Sequence, residues 1–222
     1  MLTSSTDNHV ASYTFTATNE DFEVHTLAFT EEEAEDDACG FDGILTTQLA
    51  PTGCTDETGY ANNISLVTIS YPLEDGTTNE ESAAMSGNAV TYTLSAGEYL
   101  YVPIGAPVDV DVYVDVPLTA RDAGGSATSN EEIRMAFSDA DSSGAESFNA
   151  FGVGSGTQIT EASAGVADLG DDSFVTDGIA TFVVRETKPT FSLSSSSPSG
   201  ASVPGLSEVL RFNVAASSNE SV

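Results

Sequence analysis

The run PVDVDVYVDVP, residues 107–117, constrains the fold more than any other stretch of this chain. Val108, Val110, Val112, Val114 and Val116 occupy every second position, with Asp109, Asp111, Tyr113 and Asp115 between them. Side chains on a β-strand point alternately to opposite faces, so the pattern puts all five valines on one side and all three carboxylates on the other. A helix would mix the two sets around its circumference, whereas a strand half buried against a second layer separates them. Each valine is worth about 1.5–3 kcal/mol when fully buried, so this face demands a cover.

The same period of two recurs along the chain. It places Tyr13, Phe15 and Ala17 on one face, then Val67, Ile69 and Tyr71, then Val90, Tyr92 and Leu94. Further strands are predicted at FEVHTLAFT, EYLYVP, EEIRMAFS, SFNAFGV, GIATFVVR and PTFSL, with turn signals EDGT, SGN, AGG and TDG between strands. No stretch of ten or more residues carries a helical stripe, and EEEAEDDA is the candidate for a short acidic turn. Many short strands broken by Gly, Asn and Asp predict an all-β protein, an antiparallel β-sandwich of immunoglobulin-like or more elaborate form. Periodicity leaves open whether this is one sandwich or two halves meeting near Gly105. At 222 residues and 40% hydrophobic content, either can bury a core.

The chain closes on SEVLRFNVAASSNESV, which loosely repeats ASYTFTATNEDFEV near its start. Setting Phe212 on Phe15 places Leu210 on Tyr13 and Val214 on Ala17. The stretch 192–206, SLSSSSPSGASVPGL, has the composition of a linker and precedes this restart. The expected organisation is a sandwich module over residues 1–191, a Ser/Pro-rich linker over 192–206, and the first strand of a following repeat over 207–222.

Charge decides the class of partner. Five Lys and Arg stand against 35 Asp and Glu, a formal net charge of -30. Nucleic acid requires a basic footprint and is excluded. So acidic a surface repels itself unless it is screened, and the Debye length falls from about 8 Å at physiological salt to about 3 Å at 1 M. A saline or calcium-rich medium fits this composition, as does an ordinary acidic secreted protein. No apolar run approaches the ~18 residues of a membrane span, so no membrane insertion is expected of this segment. MLTSSTDNHV lacks the basic start and apolar middle of a signal peptide, so either the chain is cytoplasmic or its start lies upstream.

Cys39 and Cys54 flank GFDGILTTQLAPTG, a segment able to double back as a hairpin. A disulfide between them would close a loop of about 15 residues, stabilise by roughly 3 kcal/mol, and imply an oxidising compartment. Free thiols are the alternative, and a metal site the remote one, because His9 and His25 lie at no recognised ligand spacing.

DADSSGAE resembles the opening of a calcium loop, with Asp139, Asp141 and Ser143 at alternating positions, Gly144 at the turn and Glu146 as a further oxygen donor. Position twelve of such a loop is Ala150, which has no carboxylate, so the competing reading is an acidic β-turn. No cofactor is required by this pattern; calcium is the one ion it suggests. Asp109 and Asp111 lie about 7 Å apart along their strand, too far to share an ion unaided. Their expected role is to keep an exposed face soluble and discourage edge pairing. FGVGSGT is not a dinucleotide fingerprint, because no cationic residue accompanies it; a bulged or tightly packed strand end is expected there. No G-x-S-x-G occurs, and no sequence neighbour supplies either histidine with a nucleophile or acid, so no enzyme is expected. The sequons at Asn63 and Asn219 are read as chance.

The segments VTISYPLEDGTT, YVPIGAPVDVDVYVDV, FNAFGVGSGT and above all VVRETKPTFSLSSSSPSGASVPGLSEVLRFNVAA resemble a repeat module of very large surface proteins from candidate-phyla bacteria of the Patescibacteria group. The resemblance covers most of residues 60–222 and implies a secreted, repetitive, extracellular cell-surface role without catalytic residues to carry over. The function expected is that of a stalk, adhesin spacer or surface-layer component whose partners are neighbouring repeats. The alternative is a module that binds carbohydrate or another surface protein, with calcium or without it, through loops and the tyrosines Tyr99, Tyr101 and Tyr113.

Overall fold

The computed structural model describes residues 1–31, 63–86, 89–118, 124–127, 132–137, 148–160, 180, 182–185, 189–198 and 208–216. The valine-rich run becomes β7 (Val108–Val116), the second strand of a four-stranded antiparallel sheet. Its neighbours are β1 (Ser5–Phe15) on one edge and β3 (Leu66–Pro72) on the other, with β4 (Thr78–Ala83) beyond β3. Val110, Val112, Val114 and Val116 are buried and Asp109 is exposed, as alternation requires. Because β7 is paired on both edges, the expectation that Asp109 and Asp111 guard a sheet edge is corrected: they stand on the outer face of an interior strand.

A second sheet is assembled around β2 (Phe22–Glu31). One edge of β2 is covered end to end by β10 (Phe148–Gly152) and β9 (Met135–Phe137), the other by β6 (Leu100–Val102) and β5 (Ala89–Thr93). These edges follow from the register, since β10 and β6 both pair with Phe22–Val24, while β9 and β5 both pair with Phe29 and Thr30. β11 (Gln158–Thr160) continues the sheet beyond β10. Ten residues thus organise four partner strands, which is why β2 carries so many buried side chains.

β2 also breaks the period of two. Thr26 pairs with Asn149 and Val24 with Ala150, so His25 is an extra residue on its strand, a β-bulge. The bulge lets both Val24 and Leu27 face inward although they are three apart, and Phe29 follows in phase. A shorter pair joins β8 (Glu132–Ile133) to β12 (Phe182–Val183), and a separate ribbon joins β13 (Pro189–Leu193) to β14 (Phe212–Ala216). Residues 1–3 run parallel to residues 183–185: Thr3 N donates to Arg185 O at 3.0 Å and Arg185 N to Met1 O at 2.9 Å.

The two main sheets form a β-sandwich, and both combine strands from before and after Gly105 around one continuous core. Of the two arrangements the periodicity allows, the described strands form one sandwich. Phe29, fully buried, is the aromatic centre, with ring centroids 5.5 Å from Tyr13, 5.5 Å from Phe137 and 6.3 Å from Tyr92. Three tyrosines, each rooted in one sheet, donate to backbone carbonyls of the other layer: Tyr92 to Val67 at 2.7 Å, Tyr71 to Glu98 at 2.9 Å and Tyr13 to Met135 at 2.6 Å. Burial pushes the Tyr92 hydroxyl well above its ordinary pKa and that of Tyr71 up to about 12, so both remain donors at any physiological pH. Tyr92→Phe is expected to cost about 1–3 kcal/mol, because the Val67 carbonyl is left without its partner inside the core. Urea unfolding checks this, with an unchanged midpoint counting against the bond.

Glu31 ends β2 and is buried, while residues 32–37 of the acidic run, both cysteines and the calcium-loop residues Asp139, Asp141, Ser143 and Glu146 lie outside the described residues. Asn63 of the first sequon is buried, which agrees with reading that motif as chance; Asn219 lies outside the described residues.

Candidate functional site

The glycine-rich FGVGSGT, which carries the β10–β11 turn, does cradle an anion, but the anion belongs to this chain. Backbone amides of Gly154 and Ser155 donate to one Glu20 carboxylate oxygen at 3.1 and 2.9 Å, and the Ser155 hydroxyl donates to the other at 2.6 Å. Successive amides of a tight turn converge on one point and form such a concavity. Gly152 is required beside it, since a Cβ there would overlap the Glu20 carboxylate, and Gly156 has φ +67°, the left-handed region. The neighbouring Asp21 accepts from Ile104 N at 2.7 Å and from the Tyr101 hydroxyl. The corner between β1 and β2 is thereby tied to the β10–β11 turn and to the end of β6.

These bonds favour the ionised forms. The Ser155 hydroxyl and amide hold Glu20 below its ordinary carboxyl value, and the Ile104 amide followed by Tyr101 does the same for Asp21. A depressed folded pKa contributes stability that is present above the ordinary carboxyl range and is lost as pH falls through the folded value. Glu20→Gln is therefore expected to be less stable than the parent at pH 7, with the gap closing on acidification below about pH 4.5. Melting curves from pH 7 to pH 3 measure it; a gap independent of pH would show that the carboxylate charge is not what the turn holds.

From this corner an aromatic platform extends over the outer face of the second sheet. Across the strands, Gln158, Phe151, Glu23 and Tyr101 stand in register. His25, two residues on from Glu23, lies on the same face, where its ring stacks on Tyr99 at 3.7 Å and 12° and meets Phe151 at 4.6 Å. His25 Nε2 lies 3.8 Å from the Glu23 carboxylate and makes no hydrogen bond among the described residues. Half-buried rings around a carboxylate can hold a flat ligand with one apolar face and hydroxyl groups at its rim.

The outer face of the first sheet has a different character. The Thr14 hydroxyl donates to Asp109 at 2.6 Å, His9 Nε2 lies 3.3 Å from Asp111, and Asp7 N donates to Asp115 at 2.8 Å. Each β7 carboxylate is thus engaged by β1. Asp7 itself sits at φ 53° beside the bulge between Ser5 and Asn8, a conformation Asp tolerates better than most residues. Next to this row lies a shallow groove of about 270 Å³ bounded by Ser70, Pro72, Thr78, Asp109 and Asp111. Among the described residues, no group of three or more His, Cys, Asp or Glu is placed to hold a metal ion.

Tyr99 and Tyr101 lie on the platform, but Tyr113 lies on the outer face of the opposite sheet beside His9, 5.1 Å between ring centroids. The expectation of one contact face containing all three tyrosines is corrected, because β6 and β7 belong to different layers. Glu23, His25 and Phe151 were not foreseen, although FEVHT carries Glu23 and His25 two residues apart, the spacing of one strand face. Among the described residues, His9 lies beside Asp111 and Tyr113, and His25 beside Glu23, Tyr99 and Phe151. No helix among the described residues is long and apolar enough to cross a membrane. Comparisons with family models, with curated proteins and with solved structures find no match to this chain.

Proposed function

We propose that this chain is a non-catalytic structural module of a large extracellular surface protein, serving as a stalk, adhesin spacer or surface-layer component. The observation that carries this reading is the parallel bridge between Leu2 and Arg185. The chain enters and leaves the sandwich in the same sense, as a head-to-tail array requires, whereas antiparallel ends would turn it back on itself. The use of polar side chains agrees: Glu20, Asp21, Asp109 and Asp115 hold turns and strands together, and Tyr13, Tyr71 and Tyr92 bridge the two layers. Such cross-links stiffen a spacer. Antibodies raised against the chain are expected to label unpermeabilised cells of its source, and label seen only after permeabilisation would overturn the proposal.

A second reading rests on the platform of Phe151, Glu23, His25, Tyr99 and Tyr101, which fits the apolar face and hydroxyl rim of a sugar ring. A glycan array decides between them. A spacer binds nothing there, whereas saturable binding that is lost in Tyr99→Ala and Phe151→Ala selects the carbohydrate-binding module.

A further inference from the structure

The ribbon of β13 and β14 carries one apolar face that is exposed and that no described residue covers. Cross-strand pairing sets Phe191 opposite Val214 and Leu193 opposite Phe212, so these four share a face, while Thr190, Ser192, Asn213 and Ala215 share the other. Phe191 is 69% exposed, Leu193 68%, Phe212 56% and Val214 57%. Leu210, two residues before β14, is exposed as well. Two strands alone are marginally stable in water, and an apolar face of this kind calls for a partner.

The identity of that partner can be read from β1. In sequence Leu210, Phe212 and Val214 correspond to Tyr13, Phe15 and Ala17. In the sandwich those three face the core: Ala17 is buried, Tyr13 packs on Phe29 and Phe137, and Phe15 on Phe137 and Phe148. What covers the β1 face is therefore the sheet of β2, β9 and β10. Among the described residues, β1 is moreover the end strand of its sheet, with β7 as its neighbour, and β14 pairs with β13 through one edge only. A strand can be added beyond β1 without displacing β7.

We propose that Leu210–Val214, the segment that leads into β14, takes the place of Tyr13–Ala17 at the end of β1 in a second sandwich of this type, the next along the polypeptide, with Leu210 docked on that module's equivalents of Phe29 and Phe137, and Phe212 on those of Phe137 and Phe148. β13 then becomes an added end strand of the following module's first sheet, beside β14, by β-strand augmentation. The junction between modules is a shared sheet and not a flexible tether. This inference rests on the array reading above and adds how the array is joined.

The test uses two tandem proteins. In the first, residues 1–214 are joined to residues 18–222 of a second copy, so that β14 stands where the second β1 stood; in the second, two complete chains follow one another. The first is expected to unfold as two modules near the midpoint of the single chain, and amides 212–214 and 190–193 are expected to exchange with deuterium about 100-fold more slowly than in the single chain, as burial in a cooperative unit requires. Phe212→Lys with Val214→Lys is expected to leave the single chain's midpoint unchanged and to abolish the second module of the first tandem. A second copy that is unfolded in the first tandem, or amides 212–214 that exchange as fast as in the single chain, overturns the proposal. If the first tandem fails while the complete one melts as two modules, the array stands and the shared junction falls; if both fail, both readings fall.

Discussion

Replacing Phe29 with alanine is expected to remove about 3–5 kcal/mol of stability, the range for deleting a large aromatic side chain from a close-packed core. Phe29 is fully buried on the central strand of the second sheet and touches rings from β1, β5 and β9, so the vacated space borders both layers. Neighbours anchored by hydrogen bonds, such as Tyr13 on Met135 and Tyr92 on Val67, cannot collapse into the space without giving up those bonds. Phe191→Ala, on the exposed ribbon, is the matched control, expected within about 0.5 kcal/mol of the parent. Chemical denaturation of both variants measures the difference, and a loss below about 1 kcal/mol for Phe29→Ala would mean that the core is centred elsewhere.

Raising the salt concentration is expected to stabilise the protein by on the order of 2 kcal/mol, or about 4–8 °C in melting temperature for a chain of this size. The cause is the formal charge of -30, which the folded state confines to a smaller volume than the unfolded one. Going from about 0.01 to 1 M shortens the Debye length from roughly 30 to 3 Å, below the spacing of many of these carboxylates. Screening also weakens favourable pairs, but the exposed Arg211–Glu208 pair at 2.7 Å is of the kind worth at most about 1 kcal/mol. Melting curves in chelator, in calcium and in high sodium chloride measure the effect. Identical midpoints in all three would overturn the argument that this surface depends on cations.

Much of the sandwich was legible in local pattern. The valines of β7, the Val67–Tyr71 series and the Val90–Leu94 series all face the core as alternation predicts, because each lies on a strand with one dry face and one wet face. β4 was missed: TNEESA is polar on both faces, and the strand exists because β3 offers it a row of backbone partners. The anion cradle at Gly154 and Ser155 was rejected for want of a cationic residue, a sound argument about phosphate that said nothing of a carboxylate from the same chain. Glu20 lies 134 positions before Gly154 in the sequence, and no local pattern connects them.

By itself the sequence determined the class of fold, the positions of most strands and the faces that they turn to the core. All of these follow from the order of apolar and charged side chains along a short stretch, and strand geometry translates that order directly into faces. Tertiary structure alone decided that strands from both sides of Gly105 share one core, that a bulge at His25 shifts β2 by one residue, and that Tyr113 lies on the opposite layer from Tyr99 and Tyr101. It also decided that β14 pairs with β13 and leaves its apolar face open. The physical reason is common to all four: sheet partners are chosen by backbone hydrogen bonds, which every residue but proline can donate, so the choice of neighbour leaves little mark on side-chain order.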